Sequence, residues 1–190
     1  MSIDYIISED DSWNKLNDEL IHLPVPYNKK SVFNHAGVAV TLIINMDPGS
    51  GLQSGFEFSN LNAPLPLQFT SLRAPLVHAG GFRFVLHEEG VLDKVGKVFG
   101  MEDVEIGYQD FDKQLIVKTN NPDRVKKIFD NAEARELFQS LTDFRLSITH
   151  DTENDEAAIL ELMIDKAYTK SKELRGIYQA FVFILDNIRE

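Results

Sequence analysis

Residues 170–188 read KSKELRGIYQAFVFILDNI. Leu174, Ile177, Tyr178, Phe181, Val182, Leu185 and Ile188 recur there at intervals of three and four, the spacing of one face of an α-helix. Phe183 and Ile184 widen the stripe beyond that face. A helix this broadly apolar needs more cover than the layer beneath it. The stretch therefore predicts a long C-terminal helix packed on a sheet, with Tyr178, Phe181, Phe183 and Ile184 as candidates for a dimer or partner interface.

The segments before it supply that sheet. Phe144, Leu146 and Ile148 alternate with polar neighbours, and 158–164 is a second strand across the polar turn Asp151–Glu156. Further back, Val104, Ile106 and Tyr108 alternate as a strand, Gln109–Lys113 reads as a turn, and Leu115, Val117 and Thr119 form the return strand. Asn121-Pro122-Asp123 is a helix start: a capping amide, a proline at the first helical position and an acid in the first turn. Val125, Ile128 and Phe129 carry its apolar face, Asn131 interrupts it, and Ala134, Leu137, Phe138 and Leu141 resume it.

The first half is less regular. Asp10-Asp11-Ser12 caps a helix over 12–23 whose stripe is Trp13, Leu16, Leu20 and Leu23. Pro24 and Pro26 end it, and 24–30 reads as an extended linker. Val38, Val40, Leu42 and Ile44 line one face of a strand over 36–44. Turn residues fill 47–51, and Phe56-Glu57-Phe58 reads as a short strand. Pro64, Pro66 and Pro75 bracket an extended segment, 67–73, which the prolines assign to an edge or an irregular connection. Phe82, Phe84 and Leu86 alternate with Arg83, Val85 and His87 as a half-buried strand, followed by a helical stripe over 91–99 closed by Gly100.

Strand–strand–helix thus recurs in 67–99, 104–141 and 144–188. Hairpins that alternate with helices imply an α+β fold, with an antiparallel or mixed sheet and helices on one face. No Gly/Ser-rich linker divides the chain. One domain over 1–190 is expected, with a seam near residue 100 that allows two packed halves, 1–100 and 101–190.

Composition bounds the function. The chain has 190 residues, 43% hydrophobic and 26% charged, the balance of a globular protein. Its formal net charge of -11 repels phosphate backbones and anionic lipid, so nucleic acid is not an expected partner. The absence of cysteine excludes disulfides, thiolate metal sites and cysteine nucleophiles. The N-terminal Met1-Ser2-Ile3-Asp4 shows no basic or apolar leader, and no apolar run approaches the ~20 residues of a membrane span; a cytoplasmic location is the expectation.

The motif search is mostly negative. The Gly49–Gly55 loop has no lysine and no following helix, so it reads as a turn rather than a phosphate cradle. Asp151–Asp155 lacks the central glycine and closing acid of a calcium loop, and Arg124, Lys126 and Lys127 read as a solvated helix face. Five histidines form neither HxH nor HExxH. His87 and Glu89 share a strand face, and with His78 they are the candidate polar handles of a ligand site in a Phe-lined pocket. No catalytic set, no metal site and no cofactor is expected.

Residues 100–190 resemble an uncharacterised bacterial domain family, on Val104-Glu105-Ile106, Asp110-Phe111-Asp112-Lys113, Ile116-Val117-Lys118-Thr119 and Asn121-Pro122-Asp123 ahead of a closing Tyr-containing helix. The resemblance implies no activity and no site residues. Some relatives carry membrane helices before the domain, which this sequence does not show. The leading functional expectation is a non-enzymatic binding or protein-interaction module, homo-oligomeric or bound to a protein partner; the alternative is a small-molecule-binding domain or enzyme built on His78, His87 and nearby acids.

Overall fold

The computed structural model describes residues 9–22, 27–46, 68–77, 80–88, 100–150 and 157–189. Eight strands form one sheet: β1 (Tyr27–His35), β2 (Val38–Met46), β3 (Gln68–Val77), β4 (Phe84–Glu88), β5 (Glu102–Asp103), β6 (Leu115–Thr119), β7 (Phe144–His150) and β8 (Ala157–Ile164). Their order is β1-β2-β3-β8-β7-β4-β6-β5, and every pairing is antiparallel. Five helices accompany them: α1 (Glu9–Ile21), α2 (Gln109–Gln114), α3 (Pro122–Ile128), α4 (Ala132–Ser140) and α5 (Ser171–Arg189). The fold is α+β, and α5 packs on β3 as its apolar stripe requires.

The register explains why one face carries the helices. Leu42, Leu72, Leu162, Leu146, Leu86 and Val117 stand opposite one another in turn across β2, β3, β8, β7, β4 and β6. All six are buried in the main core. This apolar row is what the helical layer covers: α1, α3 and α4 each touch α5, and α2 touches α4. Trp13 of α1, Phe33 of β1 and Tyr178 of α5 meet as an aromatic trio, with ring centroids 4.6–5.4 Å apart. Phe82, Phe84, Phe129, Phe111, Phe138 and Phe144 form a second aromatic group toward the other end of the sheet.

The helix starts follow their caps. The Asn121 side chain accepts the backbone N–H of Arg124, and Asn131 accepts that of Ala134, so each asparagine opens its own helix.

Four assignments change. The segment assigned to an extended linker contains the start of β1, a full strand joined to β2 by Ala36 and Gly37. Both turn residues have positive φ, and Asn34 accepts the Gly37 N–H, which is the tight-turn geometry that twists with the strands. β3 is an interior strand. Pro75 is accommodated because it lies past Arg73, the last β3 residue paired with β2, where the strand is paired only with β8. Residues 109–113 form helix α2 in place of a turn, and no strand forms at 104–108, the two-residue β5 ending just before it. The Asp112 carboxylate accounts for both: it takes the N–H groups of Ile106 and Gly107, which a strand would have given to a neighbour. The short strand at 56–58, the helix at 91–99 and the turns at 47–51 and 151–156 lie outside the described residues.

Candidate functional site

Strand alternation puts the residues one step off the apolar row on the opposite face of the sheet. Two adjacent cross-strand rows result. In one, Ile43, Ser71, Met163, Arg145, His87 and Ile116 follow one another; in the other, Thr41, Arg73, Glu161, Ser147, Val85 and Lys118 do. Their middle is both polar and dry. Ser71 and His87 are 0% exposed, Glu161 1% and Ser147 3%.

Glu161 sits between two guanidiniums. Its Oε1 lies 3.2 Å from Arg73 Nε and its Oε2 3.8 Å from Arg145 Nη2. Burial pushes the Glu161 carboxyl above its ordinary value, and the two arginines pull it back only in part. The same burial lowers Arg145, against the attraction of Glu161 and Asp165. Two cations thus face two acids, and the group is formally neutral.

His87 is fixed from one side. Its Nδ1 lies 2.7 Å from the Glu88 carbonyl, which only accepts, so Nδ1 carries the proton and Nε2 presents a lone pair. Among the described residues, nothing hydrogen-bonds to His87 Nε2, Ser71 Oγ or Ser147 Oγ, although all three atoms are buried. Buried hydroxyls and imidazoles are ordinarily paired, so three orphans on one face mark a site with unmet hydrogen-bonding capacity. The group offers an acceptor at Nε2, acceptors on Glu161 and two hydroxyls that serve either way.

Of the residues singled out by sequence, His87 alone stands in this group; His78 and Glu89 lie outside the described residues. Of the described phenylalanines, Phe69 alone is placed on this face. Phe84, three residues before His87 in the same strand, faces the helical core, whereas Phe69 lies on the His87 side opposite Asn45. The expected interaction face is also accounted for within the chain: Tyr178, Phe181 and Ile184 are buried in the core, and Phe183 packs partly buried against it. The breadth of the α5 stripe is explained by α1, α3 and α4 around it.

Ser71, Arg73, Arg145, Ser147 and Glu161 were not singled out by sequence. The usable signal was Glu161, the one polar residue in the otherwise apolar run Ala158–Ile164. A strand apolar on both sides is buried on both faces, so a charge within it has to be desolvated.

Among the described residues, no group of three His, Asp or Glu side chains is placed to hold a metal ion, and no helix is long and apolar enough to cross a membrane. No family model matches the chain, and no curated protein or solved structure proves similar to it.

Proposed function

We propose that this chain is a binding domain for a small, neutral solute rich in hydroxyl or amide groups, held by His87, Ser71, Ser147 and the Arg73–Glu161–Arg145 group. The observation that carries the reading is that, among the described residues, nothing hydrogen-bonds to the buried His87 Nε2, Ser71 Oγ and Ser147 Oγ on one sheet face. Leaving such a group without a hydrogen bond costs about 1–3 kcal/mol. A solute that bonds them recovers that cost and gains affinity from it. Neutrality follows from the balance of two guanidiniums against Glu161 and Asp165. The His87 lone pair and the Glu161 oxygens call for donors on the ligand, which hydroxyl and amide groups provide.

The test follows the His87 imidazole. In protein labelled with 15N at histidine, glycerol, glucose, adenosine and acetamide are titrated in turn. The expected result is a saturable shift of the His87 Nε2 resonance with at least one of them, lost in the Ser71→Ala/Ser147→Ala variant. No shift with any probe, or the same shift in the variant, would overturn the reading.

A further inference from the structure

β1 stands at the end of the strand order and pairs on one side, with β2, through nine consecutive residues from Tyr27↔Met46 to His35↔Val38. No bulge and no proline interrupts it. Among the described residues no strand pairs with its other side, so the outward backbone N–H and C=O groups form a ladder without a partner strand.

α1 lies alongside this edge. Trp13 packs on Phe33, and Glu19 pairs with Lys29. Between α1 and β1 runs a groove of about 200 Å³, lined by Ser12, Lys15, Leu16 and Glu19 and by residues 29–32. Its lining holds Lys15, Lys29 and Lys30 against Glu19 alone, a cationic strip on a chain of net charge -11. Val32 in the strand is 52% exposed and Ile21 at the end of α1 is 65% exposed; of the described residues only Tyr108 is a further exposed large hydrophobic.

Native edges avoid aggregation by being short, bulged, interrupted by proline or charged, and of these devices β1 carries only its lysines. This one is long and regular, flanked by a helix, and combines apolar with cationic side chains. That is the layout for recognition by strand addition, in which main-chain bonds supply affinity and alternate side chains supply specificity.

We propose that the β1 edge takes up an extended acidic segment of another protein as a ninth strand beside α1. Acidic side chains on one face of the added strand would meet Lys30 beside Val32, and apolar ones on the other face would lie toward α1, where Leu16 lines the groove. A second copy of this chain is the poorer occupant, since it brings the same lysines on its β1 and the same negative body.

Fluorescence anisotropy on the intact chain tests this with a labelled Glu-Val repeat peptide, its Lys-Val counterpart and a Glu-Val peptide N-methylated on alternate residues. The Glu-Val peptide is expected to bind and the Lys-Val peptide to fail. N-methylation, and separately the Lys15→Glu/Lys30→Glu substitution, should each weaken binding about tenfold or more. Both lysines are exposed, so the variant should melt at the wild-type temperature. Failure of the Glu-Val peptide to bind, or undiminished binding after N-methylation, overturns the proposal. So does a wild-type dimer in sedimentation that Lys30→Glu disrupts, because the edge would then belong to a second copy.

Discussion

Glu161 and Arg73 face each other across the β3–β8 ladder, with Oε1 3.2 Å from Nε, on the face of the sheet opposite its apolar row. The carboxylate is almost fully buried, whereas the Arg73 and Arg145 side chains keep 18% and 13% of their exposure. Both guanidiniums therefore retain some contact with the surface, and the acid between them does not. Desolvation falls most heavily on Glu161, and its replacement reads out how far the arginines offset it.

Glu161→Ala leaves two guanidiniums facing an apolar methyl group. Removing one partner of a buried ion pair costs about 3–5 kcal/mol; the partial exposure of both arginines places this case near about 3 kcal/mol. Equilibrium urea unfolding, followed through the single, buried Trp13, measures it directly. A loss under about 1 kcal/mol would show that the carboxylate is not integrated with the arginines.

The raised Glu161 carboxyl fixes the sign of a pH effect. The folded chain holds this proton more tightly than the unfolded chain, whose ordinary value is 4.5. The stability from this group is complete below 4.5 and is lost as the pH rises through the folded value. Wild type should therefore lose stability relative to Glu161→Gln as the pH increases from 4.5. A parallel pair of stability curves over that range would contradict the direction of the shift.

Ser71 and Ser147 carry buried hydroxyls with no hydrogen-bond partner among the described residues. Ser71→Ala and Ser147→Ala should each stabilise the free protein by about 1 kcal/mol, because the methyl group avoids the penalty of a dry hydroxyl. Stabilisation at the expense of binding is the usual signature of a functional polar group. Destabilisation in urea unfolding would mean that the hydroxyls are satisfied within the fold.

Gly176 lies inside α5, where a Cβ would meet only Leu137 Cδ1, at an ordinary 3.7 Å. Nothing steric requires a glycine here, and in a helix interior it costs about 1 kcal/mol relative to alanine. Gly176→Ala is expected to stabilise the chain by about 0.5–1 kcal/mol. A loss of stability would indicate tighter α4–α5 packing than this distance implies.

How much of this was legible depended on whether a residue's role was written in its neighbours along the chain. α5 was legible because seven apolar residues lie at helical spacing, and α3 because Asn121 and Pro122 act locally. β1 was obscured by its composition: Tyr27 and Phe33 are its only deeply buried side chains, with lysine, serine and asparagine between them. α2 was hidden because the acid that organises it, Asp112, reaches back to Ile106 and Gly107. His87 stood out as a histidine in a strand. Its companions are ordinary serines and arginines whose proximity is created by pairing between β3, β8, β7 and β4, a relationship absent from any local pattern.

The central claim is tested most directly by melting wild type and Ser71→Ala/Ser147→Ala side by side, followed through Trp13, in the presence of whichever neutral solute moves the His87 resonance. At about 100-fold its dissociation constant, the solute should raise the wild-type melting temperature by about 5–10 °C and that of the variant by less than half as much. Equal rises in both proteins, or no rise in wild type, would contradict the assignment of the buried polar rows as a binding site.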